Sequence, residues 1–219
     1  MKISHNFASV IALGNFNPAI VTPDFLNKDC KLDLGEPSGQ SPPFIPVHRS
    51  LQFENLSFVV DMEKLQIVET GPKDISKTRI LSFFDAYYKK LPYTPLRAVG
   101  VNINCNLFDE TEARLKALIE KISCPKTYLG FFQISEIRVS ETSLQTGTDK
   151  TWLSSNYRTE NVRGLARQID AKKEKDTLTL NYNYEAGNLG KNKKRLKLLV
   201  DGYEQFCNEF LDFLKFLEA

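Results

Sequence analysis

Three stretches of this chain alternate apolar and polar residues with the period of a strand. They are Leu56, Phe58, Val60 and Met62; Val99, Val101, Ile103 and Cys105; and Leu178, Leu180, Tyr182 and Tyr184. Successive strand side chains point to opposite sides, so each stretch buries one face and wets the other. Two further stretches change to the helical period. Ile80, Phe84, Tyr87 or Tyr88 and Leu91 form one stripe, closed by Pro92. Leu196, Leu199, Tyr203, Phe206, Phe210, Phe213 or Leu214 and Leu217 form a second, roughly six turns long. One-faced strands need a cover and one-faced helices supply it. The chain is therefore expected to be α+β, an antiparallel sheet with helices packed on one face.

The other segments fill in this plan. Ser9–Phe16 reads as a first strand that breaks at Asn17-Pro18, with a short helical piece around Ala19–Leu26. Residues 34–46 are a loop by their proline and glycine content. Leu56–Thr70 is a hairpin turning near Glu63 and Lys64. Asp109 is placed to cap a helix, with Glu112 three residues later and Pro125 as its stop. Tyr128–Leu144 reads as a long strand bent near Gln133–Ser135, residues 147–152 as a turn, and 171–175 as the charged tip of a second hairpin.

At a shift of about 87 residues the chain echoes itself. Asn15-Phe16-Asn17 meets Asn102-Ile103-Asn104, and the following elements run in the same order. This suggests a duplicated β-α-β-β-α unit, with residues 1–92 and 93–219 as halves of one compact body and a groove between them. Asn102, Asn104 and Asn106 fill the wet parity of their strand, although asparagine is a poor strand former. Asn102 and Asn104 are expected near Asn15 and Asn17, along a seam shared by the halves. Trp152 and Tyr157 are the aromatic candidates for a lip on the same groove.

The order of elements resembles the duplicated bacterial effector-binding (gyrase-inhibitor-like) and SOUL haem-binding domains. The segment "SFFDAYYKKLPYTPLRAVGVNIN" resembles an uncharacterised, sporadically distributed bacterial protein family. The first resemblance implies a duplicated α+β fold with a ligand cleft. The acidic cleft residue used by effector-binding domains has no position here that maps onto it. Haem would need an axial ligand, and the only histidines, His5 and His48, sit in irregular N-terminal sequence. No cofactor is expected.

Several chemistries lack raw material. Two histidines and the dispersed Cys30, Cys105, Cys124 and Cys207 offer no metal-ligand spacing and read as reduced cytoplasmic thiols. "EAGNLGKNKKR" lacks the spacing and the final hydroxyl of a phosphate-binding P-loop. No apolar run approaches the ~20 residues of a membrane helix, and the N-terminus does not read as a signal peptide. A net charge of +2 argues against a general polyanion binder. Locally, though, Lys172–Lys197 holds eight Lys/Arg against Glu174, Asp176 and Glu185. With Arg163 and Arg167 nearby, the residues Lys191, Lys193, Lys194 and Arg195 are candidates for an anion or nucleic-acid patch.

The function that follows is a non-catalytic bacterial cytoplasmic protein, holding a partner protein or small ligand in the groove between its halves. A homodimer is compatible with this, and a membrane role is not expected. The alternatives are nucleic-acid association through the 172–197 segment, and a hydrolase or transferase built on carboxylates or hydroxyls.

Overall fold

The computed structural model describes residues 2–38, 47–108, 112–123, 126, 131, 139–147, 150–162, 165–174, 177–190 and 194–219. For 139–147, 150–162 and most of 165–174 the description is of the backbone. The described residues form nine strands: β1 (Lys2–Gly14), β2 (His48–Phe53), β3 (Leu56–Asp61), β4 (Lys64–Thr70), β5 (Leu96–Phe108), β6 (Val139–Gly147), β7 (Lys150–Val162), β8 (Leu165–Glu174) and β9 (Thr177–Ala186). All pair antiparallel in one open sheet of order β2-β3-β4-β1-β5-β9-β8-β7-β6. The helices are α1 (Ile80–Lys90), α2 (Glu112–Ser123), α3 (Lys194–Asp201) and α4 (Tyr203–Glu218). The protein is α+β.

Two 13-residue strands, β1 and β5, lie side by side at the centre, with Val10 opposite Val101. From this seam the order runs β4, β3, β2 on one side and β9, β8, β7, β6 on the other. The period of two fixes which side is dry. Ala8, Val10 and Ala12, then Val99, Val101, Ile103, Cys105 and Leu107, then Leu178, Leu180, Tyr182 and Tyr184 are all buried on the helix side. Against them pack Ile80, Phe84 and Tyr87 from α1 and Tyr203, Phe206, Phe210, Phe213 and Leu217 from α4. No helix among the described residues is long and apolar enough to cross a membrane.

The sequence expectations are corrected at several places. The first strand starts at Lys2 rather than Ser9, because β5 pairs with it from Lys2↔Phe108 to Gly14↔Leu96. Long-range pairing here overrides a polar beginning that has little strand propensity. β2 was not foreseen, since in "HRSLQF" only Leu51 and Phe53 are buried. No α-helix follows β1. A 3-10 turn at Pro18–Ile20 and a π turn at Phe25–Asp29 stand in its place, so the first half is a strand, two turns, three strands and a helix. The last helix is also two helices, divided at Gly202. A Cβ there would lie 2.7 Å from Phe206 Cζ and 2.8 Å from the Leu198 carbonyl oxygen. Asp109 and the Gln133–Ser135 bend lie outside the described residues. Of the expected tip at 171–175, residues 171–174 belong instead to β8, which runs on to Glu174 opposite Thr177. Within the expected 128–144 strand, Phe131 is helical and β6 begins only at Val139.

Candidate functional site

A hollow of ≈ 250 Å³ opens where α1 and the start of β5 meet the β9–α3 connection. Its walls are Tyr88, Tyr93, Thr94, Pro95, Leu96, Leu189, Gly190 and Leu196. Local rules build each wall. After α1, Leu91 N–H donates to the Tyr88 carbonyl and Thr94 N–H to the Leu91 carbonyl. These tight turns at Pro92 bring the chain straight into β5. Tyr88 stacks on Phe84, with ring centroids 6.1 Å apart and planes 8° from parallel. Across the hollow, Asn188 takes a left-handed conformation at φ 56, which asparagine tolerates better than most residues. The chain thereby reverses after β9, and Leu189 N–H reaches the Arg97 carbonyl at 3.0 Å. Arg195 then donates from Nη1 to the Gly187 carbonyl at 3.2 Å, holding α3 to the same turn.

The end of β1 braces the Pro95 wall. Gly14 lies so close to Pro95 that a Cβ would sit 2.3 Å from the Pro95 carbonyl oxygen. Asn15 N–H donates to that same oxygen at 3.0 Å. The hollow takes Tyr88 from the first 92 residues and its other lining residues from the rest, among them Tyr93, which is 95% exposed. Sequence reasoning missed these residues. The available signal was "YYKKLPYTPL", where three tyrosines, two prolines and two lysines crowd into ten positions.

The asparagines do not meet as expected. Asn102 is opposite Ser9 and Asn104 opposite Phe7, while Asn15 and Asn17 lie exposed beyond the far end of β1. An antiparallel seam carries one strand's middle away from the other strand's exit, so an echo in sequence is not a contact in space. Asn17 instead caps its own turn, accepting from Ala19 N–H at 3.0 Å. Asn102 accepts from Asn183 Nδ2 at 2.9 Å, and Asn6 Nδ2 donates to Asn104 Oδ1 at 2.7 Å and Asn106 Oδ1 at 2.9 Å. Thr179 adds a second contact to Asn106. A bulge between His5 and Phe7 lets Asn6 join this row on the side of the sheet away from the helices.

On the helix side, Glu209 accepts from Tyr182 (2.5 Å) and Tyr184 (2.6 Å), whose rings stack on Phe210 and Phe206. This fastens α4 to β9. A second polar knot joins Thr78 to the Tyr203 hydroxyl, with Tyr203 and Cys207 both donating to the Ile75 carbonyl. Burial pushes the Cys207 and Cys105 thiols up to about 12 and Cys30 up to about 11. At neutral pH they are protonated and apolar in character, unlike a nucleophilic thiolate. Among the described residues, no group of three or more His, Cys, Asp or Glu is placed to hold a metal ion.

The basic candidates are only partly placed. Lys194 and Arg195 open α3 beside the hollow, with Lys194 exposed. Arg163, Lys191 and Lys193 lie outside the described residues, and Arg167 is placed by its backbone opposite Thr159 and Tyr184. Trp152 and Tyr157 are placed on β7 by pairing with Gln145 and Ile169, and their side chains lie outside the description. Compared with known proteins, the chain matches no family model and no curated protein.

Proposed function

We propose that this is a non-catalytic binding protein of the cytoplasm, holding a small ligand or a partner's side chain in the hollow between its halves. One observation carries the reading. Tyr88, at the end of the first half, converges with Tyr93, Leu96, Leu189 and Leu196 of the second on a concave, mostly apolar space. Concave apolar sites with a few polar groups at the rim are where ligands bind. The described nucleophiles and acids do not converge on it, which favours binding over chemistry. The mirrored strand order about the β1–β5 seam supports an internal duplication, in which case the hollow is the junction of two related units. The test is a fragment screen followed by methyl NMR: Leu96, Leu189 and Leu196 signals should move together on binding. If no fragment perturbs them, the hollow is packing and the reading falls.

A further inference from the structure

The sheet has two edges, and they are finished differently. β2, at one end of the order, is six residues long and carries His48 and Arg49. Its outer side is also occupied: Ser38 N–H donates to the Gln52 carbonyl at 2.7 Å, and Ser38 Oγ accepts from Glu54 N–H at 2.7 Å. Short length, charge and a covering segment are devices that keep an edge from pairing with another chain. β6, at the other end, shows none of them among the described residues. It runs nine residues, Val139–Gly147, and pairs along its whole length with β7. Its sequence, "VSETSLQTG", holds a single charge, Glu141, and neither lysine nor proline. The backbone N–H and C=O groups of its outer side therefore have no strand partner among the described residues. Such a row is a template for one more strand.

We infer that this strand is β6 of a second copy of the chain, paired antiparallel across a two-fold axis at Ser143, so that two sheets join edge to edge. The charge pattern supports self-pairing. Full overlap of the nine residues sets Ser143 opposite its own copy, Val139 opposite Gly147 and Glu141 opposite Gln145. The carboxylate then meets an amide at both symmetric positions, and no like charges oppose each other. Moving the axis to Glu141 would set that carboxylate against its own copy, so charge selects the register as well as permitting it. A two-fold contact of this kind uses the same patch on both copies and closes. It consumes both β6 edges, and the ends of the joined sheet are the two guarded β2 strands. A foreign extended peptide would satisfy the same backbone groups, but a second copy brings the matching length and charge pattern with it.

Sedimentation velocity of the full chain over a concentration series should show a monomer–dimer equilibrium. Ser143→Cys should form an interchain disulfide under mild oxidation, because directly opposed residues of an antiparallel pair have Cα atoms about 4.5–5.5 Å apart, within a disulfide's reach. Wild type, in which Cys30, Cys105 and Cys207 are buried, should not cross-link, and neither should Met62→Cys, exposed in the β3–β4 turn. Gln145→Glu sets like charges opposite each other twice and should weaken the dimer at least tenfold, whereas E141K/Q145E sets opposite charges together and should restore it. At dilutions where every variant is monomeric, all should melt with wild type, which separates a lost dimer from a lost fold. A chain that stays monomeric at its highest soluble concentration overturns the inference, including one that takes up an extended peptide on β6 instead. A dimer that Q145E leaves intact, or that S143C does not cross-link, overturns it too, because its interface then lies elsewhere.

Discussion

The side-chain amide of Asn6 donates to Asn104 Oδ1 at 2.7 Å, so a bulged residue of β1 is tied to the middle of β5. Asn104 is only 9% exposed, and Asn6 also serves Asn106. Asn6→Ala leaves the buried Asn104 oxygen without its donor, while Asn106 keeps Thr179. Hydrogen bonds of this kind contribute about 0.5–1.5 kcal/mol each, and an orphaned buried partner costs about 1–3. Urea denaturation of Asn6→Ala should show a loss of about 1–2 kcal/mol. Asn181→Ala is the control, because Asn181 sits opposite Asn104 by register but makes no side-chain hydrogen bond among the described residues. Equal losses in both variants would mean that the row acts through strand propensity and not through its amide contacts.

Gly14→Ala tests how the hollow is built. The new Cβ would lie 2.3 Å from the Pro95 carbonyl oxygen, and the obstacle is backbone, which cannot swing aside. Either β1 or the Pro95–Leu96 segment must shift, and overpacking of this sort costs about 1–3 kcal/mol. The expected result is a lower melting temperature together with altered methyl shifts at Leu96. A variant that melts with wild type would mean that the seam is looser than its hydrogen bonds suggest.

The fold class could be read from three alternating stretches and two helical stripes, because burial obeys the same periods in sequence and in space. Val99, Val101, Ile103 and Cys105 are all buried, and so are Leu178, Leu180, Tyr182 and Tyr184. What escaped depends on partners far along the chain. β1 runs back to Lys2 because β5 is there to pair with it, and no local pattern announces a partner roughly a hundred residues away. The hollow escaped for a related reason. Leu96, Leu189 and Leu196 look like ordinary core residues until the Asn188 turn brings the start of α3 back to the start of β5. The asparagine row was visible, but its partners were misassigned: Asn6, Asn181 and Asn183 come into the row from the flanking strands only through register.

Tyr87→Phe should stabilise the protein. The Tyr87 ring is a central core element, edge-on to Phe25 with centroids 6.0 Å apart. Its hydroxyl is buried and has no hydrogen-bond partner among the described residues, and burial pushes its ionisation up to about 12. An unpaired hydroxyl in an apolar site is a cost that phenylalanine removes without opening a cavity. The expected gain is on the order of 1 kcal/mol by urea denaturation. A loss of comparable size would show that the hydroxyl has found a bound water or a neighbour.

His5 gives the chain a specific acid sensitivity. It sits on the helix side of β1 opposite Cys105, half-buried, with Nδ1 buried and without a hydrogen-bond partner among the described residues. Burial lowers its ionisation below the ordinary 6.5, against an opposing pull from Asp74. The unfolded chain therefore takes up a proton near pH 6.5, whereas the folded chain holds one only at lower pH. Stability is unaffected above that range and falls as pH drops below about 6.5, because the unfolded state binds more protons. Asp74 acts in a separate window. Hydrogen bonds from Ser76 lower its ionisation, so its contribution is lost only as pH falls below the ordinary carboxylate value of 3.8. Urea midpoints measured from pH 7.5 to 5 should decline for wild type and stay flatter for His5→Asn. The same decline in both would assign the acid sensitivity to other groups and leave His5 without a role in it.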